Sequence, residues 1–244
     1  MTSAIHTPLQ GAHIVIFGGS TGIGLATAKA AKAAGANVTI VGRTAAKLEA
    51  AAHEIGGAGT AVADIADRKS VEAVFVGMES VDHIVITAGG LAGGRLAETD
   101  PDALLTAFQE RIAGPVYAIK AVLPLLPTTG SVVLTGGQFS DRPSGNGVSI
   151  ISAAVRGIEA LARALALELK PIRVNVISPG FVDTPLFDAL GQEARTAILG
   201  DAANALPGGR VGRPAEVAEA IIFLLGNSYM NAEVLHIDGA GRFV

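Results

Sequence analysis

Short runs of β-branched and aliphatic residues alternate with Ala-rich stretches nearly from one end of the chain to the other. The apolar runs at 12–17, 37–41, 60–63, 83–87, 131–135, 172–177 and 233–237 are mostly continuous rather than alternating in polarity. Continuous runs of this length suit strands buried on both faces, as in a parallel sheet. Residues 22–34, 45–54, 68–76, 101–126, 149–169 and 214–225 are predicted as helices. Pro101 and Pro214 fall in first turns, where the missing N–H costs nothing. The alternation predicts an α/β fold, a single doubly wound parallel sheet of about seven strands with helices on both faces. No linker or low-complexity tract interrupts it, so residues 1–244 read as one domain.

Two stretches depart from the rhythm. Residues 184–212 contain LFDALGQEARTAILGDAANALPGG, which has the character of a small helical insertion. It follows a strand at the end of the sheet where open α/β folds bind ligands, and loops of this length are usually functional. The helix at 149–169 is apolar nearly all round, through Ile150, Ile151, Ala154, Val155, Ile158, Leu161, Leu165 and Leu169. A helix lying on a sheet needs one buried face, so the second predicts a contact between subunits.

Composition narrows the classes. Half of the residues are apolar, 16% are charged, and the formal net charge is −4. That excludes a disordered chain, and with no block of like charge it argues against nucleic-acid or membrane-surface partners. Zero cysteines remove disulfides, thiolate metal sites and thiol nucleophiles together. No acidic pair or His/Asp cluster suggests a metal. His13, His83 and His236 lie in or beside strands and read as structural. The first ten residues, MTSAIHTPLQ, lack the basic and apolar regions of a signal peptide. The uncharged stretch 121–140 is broken by Pro124 and Pro127 and is no membrane span. A cytoplasmic protein is the expectation.

The first strand runs into Gly18-Gly19-Ser20-Thr21-Gly22-Ile23-Gly24 and then directly into helical sequence. Glycines at such a turn let the backbone approach a pyrophosphate, and the helix N-terminus offers free N–H groups to it. The G-x3-G-x-G spacing differs from the common G-x-G-x-x-G, and its position after the first strand of a βαβ array makes it a Rossmann-type nucleotide turn. At the end of the second strand, Val41-Gly42-Arg43-Thr44 offers no carboxylate for ribose hydroxyls. Arg43 instead stands where a 2′-phosphate would lie, with Thr44 and Ser20 as hydroxyl donors. NADP(H) is therefore the expected cofactor.

Over essentially its whole length the chain resembles the short-chain dehydrogenase/reductase family. FGGSTGIG, the VGR after strand two, VADIAD, ITAGG, IRVNVISPGFVDTP and VLHIDG carry the resemblance. It implies adenine contacts at Asp64 and Ile65, and Thr87-Ala88-Gly89 where the family has an N-A-G tripeptide. It also implies a nicotinamide cradle at Pro179, Gly180, Val182 and Thr184. Phe17 (for Thr) and Thr87 (for Asn) depart from the pattern.

The same resemblance implies where carbonyl-reduction residues should stand, and there the pattern fails. Ile151 occupies the Tyr position, Val155 the Lys position, Gly137 (or Gln138 in a longer loop) the Ser position, and Arg111 the Asn position. No shifted register restores them: Tyr117 and Tyr229 are the only tyrosines, and no lysine lies between Lys120 and Lys170. A positioned general acid gives roughly 10²–10⁴-fold, so ordinary ketone reduction should be slow. Replacement candidates are Arg111, as a permanent cation for an oxyanion, Gln138, as a hydrogen-bond partner for a substrate oxygen, and Ser149.

The expectation is an NADP(H)-dependent oxidoreductase with an atypical active site. It would transfer hydride to a small-molecule substrate with an activated carbonyl, such as a quinone or conjugated dicarbonyl. The alternative is a non-catalytic NADP(H)-binding sensor or partner protein. A hydrolase or lyase lacks a nucleophile–base pair. A homo-oligomer, a tetramer as the resemblance implies, is expected through helices 101–126 and 149–169.

Overall fold

The computed structural model describes residues 9–90 and 93–244. Most of the stretch read for a signal peptide, residues 1–8, lies outside the described residues. Seven strands form one sheet: β1 (His13–Phe17), β2 (Asn37–Gly42), β3 (Gly59–Val62), β4 (His83–Ile86), β5 (Ser131–Thr135), β6 (Arg173–Pro179) and β7 (Val234–Ile237). Their order is β3-β2-β1-β4-β5-β6-β7, and every neighbouring pair is parallel.

Parallel pairing requires crossovers, and the helices supply them on both faces. On one face α1 (Gly22–Ala33), α2 (Ala45–Ile55) and α8 (Pro214–Gly226) pack against Ile14, Ile16, Val85, Val133 and Ile177. On the other, α3 (Arg68–Val74), α5 (Gly114–Val122) and α6 (Ser149–Glu168) cover Val15, Phe17, Ile84, Ile86, Val132 and Leu134. Successive strand residues thus enter opposite cores, which is why the sequence runs are continuous.

The expected single helix at 101–126 is corrected by the structure. It divides into α4 (Pro101–Phe108), a π-helical turn (Gln109–Ala113), α5, and a 3-10 turn (Leu123–Leu125). Pro115 has no N–H to continue the ladder and its ring crowds the preceding turn, so the extra residue of the π turn relieves that conflict. Pro124 ends α5 in the same way. The segment after β6 carries a 3-10 turn (Pro185–Leu190) and α7 (Gln192–Ala205).

Candidate functional site

Sheet order reverses between β1 and β4, the crevice where doubly wound sheets hold ligands at their carboxyl edge. An open cleft of about 330 Å³ lies there. Gly18 turns the chain at φ +81°, and a Cβ on it would stand 2.7 Å from Thr87 Oγ1. A Cβ on Gly24 would meet the Gly18 carbonyl oxygen at 2.1 Å, so only glycine lets α1 start against this turn. Thr21 precedes α1 in extended conformation and makes no side-chain cap. The first-turn amides of α1 are therefore left to meet an anion at the positive end of the helix dipole. Across the cleft, the Thr184 side chain lies 3.3 Å from where a Gly22 Cβ would be, so the segment after β6 closes against the glycine turn.

Gly18, Ser20, Thr21, Gly22, Ile23, Gly24, Arg43, Thr44, Asp64, Ile65, Thr87, Ala88, Gly89 and Thr184 all line this cleft. The Thr87 hydroxyl donates to the Phe17 carbonyl at 2.9 Å, tying the ends of β4 and β1 together. Asp64 Oδ1 accepts the Ala66 N–H at 2.9 Å, which fixes the turn after β3. Pro179, Gly180 and Val182 are not on the cleft wall. Pro179 ends β6 in the core, Val182 is buried and bridged to Gly212, and Gly180 lies against the Asp238 backbone. They shape the segment that presents Thr184.

Sequence reasoning missed Lys47 and Glu110 on the same wall. Lys47 lies four residues beyond Arg43 in the first turn of α2, and its charge beside a candidate phosphate site was a readable signal. Glu110 had none, because only the fold carries it from the π turn to the end of β2. Its Oε2 accepts the Gly90 N–H at 2.6 Å and its Oε1 stands 3.9 Å from Arg43 Nη1.

Arg111 folds over the loop after β4, on the same Gly90 that Glu110 holds. Its Nη2 donates to the Gly90 carbonyl at 2.8 Å, and its guanidinium carbon lies 3.3 Å from a Cβ position on Gly89. The Nε is buried with no partner among the described residues. Burial lowers the Arg111 pKa and Glu110 opposes that shift, yet a guanidinium keeps its charge. Ile151 and Val155 join Ala107 in a buried apolar cluster against Phe139, Val148 and Ile150. Gly137 faces the same cluster, with Val155 Cγ1 3.8 Å from its Cβ position. The structure thus brings together the positions read for Tyr, Lys and Ser, and fills them with hydrocarbon.

Gln138 is buried, with its Oε1 unpartnered and turned toward Gly241 beneath the C-terminal turn. Ser149 is exposed at the first position of α6, outside the cleft lining. Phe181 packs edge-on against Phe139 at 6.2 Å and stacks with Phe187 at 6.3 Å, an aromatic row that meets the apolar cluster at Phe139. Among the described residues no group of three or more His, Asp and Glu side chains is placed to hold a metal.

The family described as enoyl-(acyl carrier protein) reductase matches residues 18–240. The human 3-oxoacyl-[acyl-carrier-protein] reductase is 32% identical over 237 residues, 94% of this chain and 97% of that protein. Carbonyl reductase family member 4 of Xenopus laevis is 28% identical over 231 residues, 92% and 95% of the two chains. Among solved structures, a small-chain dehydrogenase in complex with NADPH superposes with TM-score 0.84 at 30% identity, covering 96% of this chain and all of that one, 100%. The MalC reductase/Diels-Alderase from Malbranchea aurantiaca gives 0.90 at 26% identity and covers 98% of each chain.

Proposed function

Because the chain belongs to the short-chain dehydrogenase/reductase family, we propose that it is an NADP(H)-dependent oxidoreductase with an atypical active site, acting on activated carbonyls such as quinones or conjugated dicarbonyls. The residues present fit the nucleotide: a glycine turn that tolerates no side chain, uncapped first-turn amides, and Arg43, Lys47, Thr44 and Ser20 on one wall. In this reading Asp64 and Ile65 meet the adenine, Thr87, Ala88 and Gly89 line the ribose side, and Pro179, Gly180, Val182 and Thr184 form the nicotinamide segment. Two of the similar proteins support it, the dehydrogenase in complex with NADPH and the carbonyl reductase.

When bound, the reduced nicotinamide supplies hydride. Everything else falls to the protein. Hydride addition to a simple ketone localises charge on one alkoxide, and an apolar cluster of Ile151, Val155 and Ala107 has no proton to give. Addition to a quinone spreads the charge over a phenolate, whose basicity is nearer that of Tyr than of an alkoxide. Such an anion needs a fixed cation more than an acid. Arg111 is that cation, and its position is the observation that carries the proposal: a guanidinium locked on the Gly90 carbonyl, buried at Nε, beside the cleft. Gln138, with a buried acceptor free, is the second polar candidate, and Ser149, exposed two positions before Ile151, the third. The aromatic row of Phe139, Phe181 and Phe187 suits a planar apolar acceptor.

One observation favours the alternative of a non-catalytic NADP(H)-binding sensor or partner protein: the positions read for Tyr and Lys hold Ile151 and Val155, buried in an apolar cluster. Either way we place the protein in the cytoplasm as a homotetramer; among the described residues no helix is long and apolar enough to cross a membrane. The cofactor reading is tested by calorimetric titration of NADPH and NADH. A charge-assisted contact is worth about 1.5–3 kcal/mol, so NADPH should bind about tenfold tighter or more, and Arg43→Asp should erase the preference. Equal binding of both nucleotides by the native protein would sink it.

A further inference from the structure

Asp64 and Glu110 both line the cleft with Arg43, and Glu110 is the carboxylate that faces the Arg43 guanidinium. It comes from the π turn between α4 and α5, far from β2 in sequence, and its side chain is 13% exposed where that of Arg43 is 69% exposed. Its two oxygens do different work. Oε2 is committed to the Gly90 amide at 2.6 Å, which fixes the carboxylate in place. Oε1 is left facing Arg43 Nη1 at 3.9 Å, across the mouth of the cleft that both residues line.

A fixed carboxylate facing an exposed guanidinium makes a competition. We propose that Glu110 is a specificity-determining residue that restrains the preference for NADP(H), because its carboxylate contends with the 2′-phosphate for Arg43. The inference rests on the NADP(H) reading above. In the free protein Glu110 draws Arg43 toward the cleft wall. A 2′-phosphate must take Arg43 from that carboxylate and also sit near its negative charge, so Glu110 weakens binding of the phosphorylated nucleotide on both counts. The 2′-hydroxyl of NAD(H) carries no charge with which to contest Arg43, so Glu110 leaves NADH binding nearly unchanged. The cation at the end of β2 therefore gives the direction of the preference, and Glu110 gives its size.

Glu110→Gln is the informative change, since its side-chain carbonyl still accepts the Gly90 amide while the charge is gone. Calorimetric titrations of NADPH and NADH are made with the native protein, Glu110→Gln, Arg43→Ala and the double variant. The expected result is about threefold tighter NADPH binding by Glu110→Gln, in the range of a partly exposed ion pair, with NADH affinity unmoved. That gain should shrink in the Arg43→Ala background, where nothing remains to contend for; a residue that merely braced the loop would give the same change in both backgrounds. If the native protein binds NADPH and Glu110→Gln leaves the NADPH/NADH ratio as it was, this inference is overturned and the cofactor reading stands. If the gain is the same with and without Arg43, competition is overturned. If the native protein binds neither nucleotide, both readings fall.

Discussion

His83 begins β4 with 7% of its surface exposed, and its Nδ1 lies 2.8 Å from the Ser131 hydroxyl on β5. Burial is the main force on this imidazole; Asp82 opposes it, Arg173 adds to it, and the pKa falls from 6.5 to about 4. Between those values the unfolded chain takes up a proton that the folded chain refuses. The stabilisation is therefore complete above about pH 6.5 and is lost as pH drops toward 4, by up to about 3 kcal/mol. Urea unfolding followed from pH 7.5 to pH 4.5 should show this loss, and His83→Gln should flatten it; an equally steep loss in the variant would contradict the assignment. Residues of this kind were legible where chemistry and strand end coincide. Arg43, the glycine turn and Thr184 were read from sequence and share one cleft. Glu110 was not legible, because its neighbour Arg43 is reached only through the packing of the π turn against the loop after β4.

Among the elements, the strands were legible because burial on both faces writes itself as an unbroken apolar run. Their ends were less so: β6 continues through Ser178 and Pro179, whose sequence reads as a turn but which pair with His236 and Ile237 of β7. Helix 101–126 was misjudged because its apolar spacing survives the π turn that Pro115 imposes. In α6 the face carrying Ile151, Ala154, Val155, Ile158, Ala162 and Ala166 is buried, and Leu161, Leu165 and Leu169 lean half-buried on the same core. That accounts for most of the second apolar face within the chain itself. Arg156 links the buried Glu159 to Asp141, which in turn meets His236 of β7 at 2.9 Å, so α6 is also fastened by charge. Leu105 on α4, Val116 on α5 and Leu167 on α6 remain exposed, and they carry the expectation of a subunit contact. Light scattering at micromolar concentration should give a mass several times 24.5 kDa. A species of 24.5 kDa would contradict it.

For the molecule as a whole, the fold gathers a nucleotide-type cleft and a separate apolar cluster at the carboxyl edge of the sheet. At the ends of β1, β2 and β3 the cleft is lined by the glycine turn, Ser20, Arg43, Thr44, Lys47 and Asp64, while the end of α4 and the start of α6 meet in a buried hydrocarbon cluster, and one guanidinium, Arg111, is held on the loop after β4. On the proposed function, hydride transfer goes only to acceptors that spread the resulting charge, with Arg111 holding it. The direct measurement is NADPH oxidation by the native protein and by Arg111→Ala against a panel of quinones, conjugated dicarbonyls, aldehydes and simple ketones. Turnover confined to the quinones and dicarbonyls is predicted, with kcat falling in Arg111→Ala by about tenfold or more while NADPH affinity changes little, as for an interaction made mainly in the transition state. Brisk reduction of simple ketones, or quinone turnover untouched in Arg111→Ala, would contradict it.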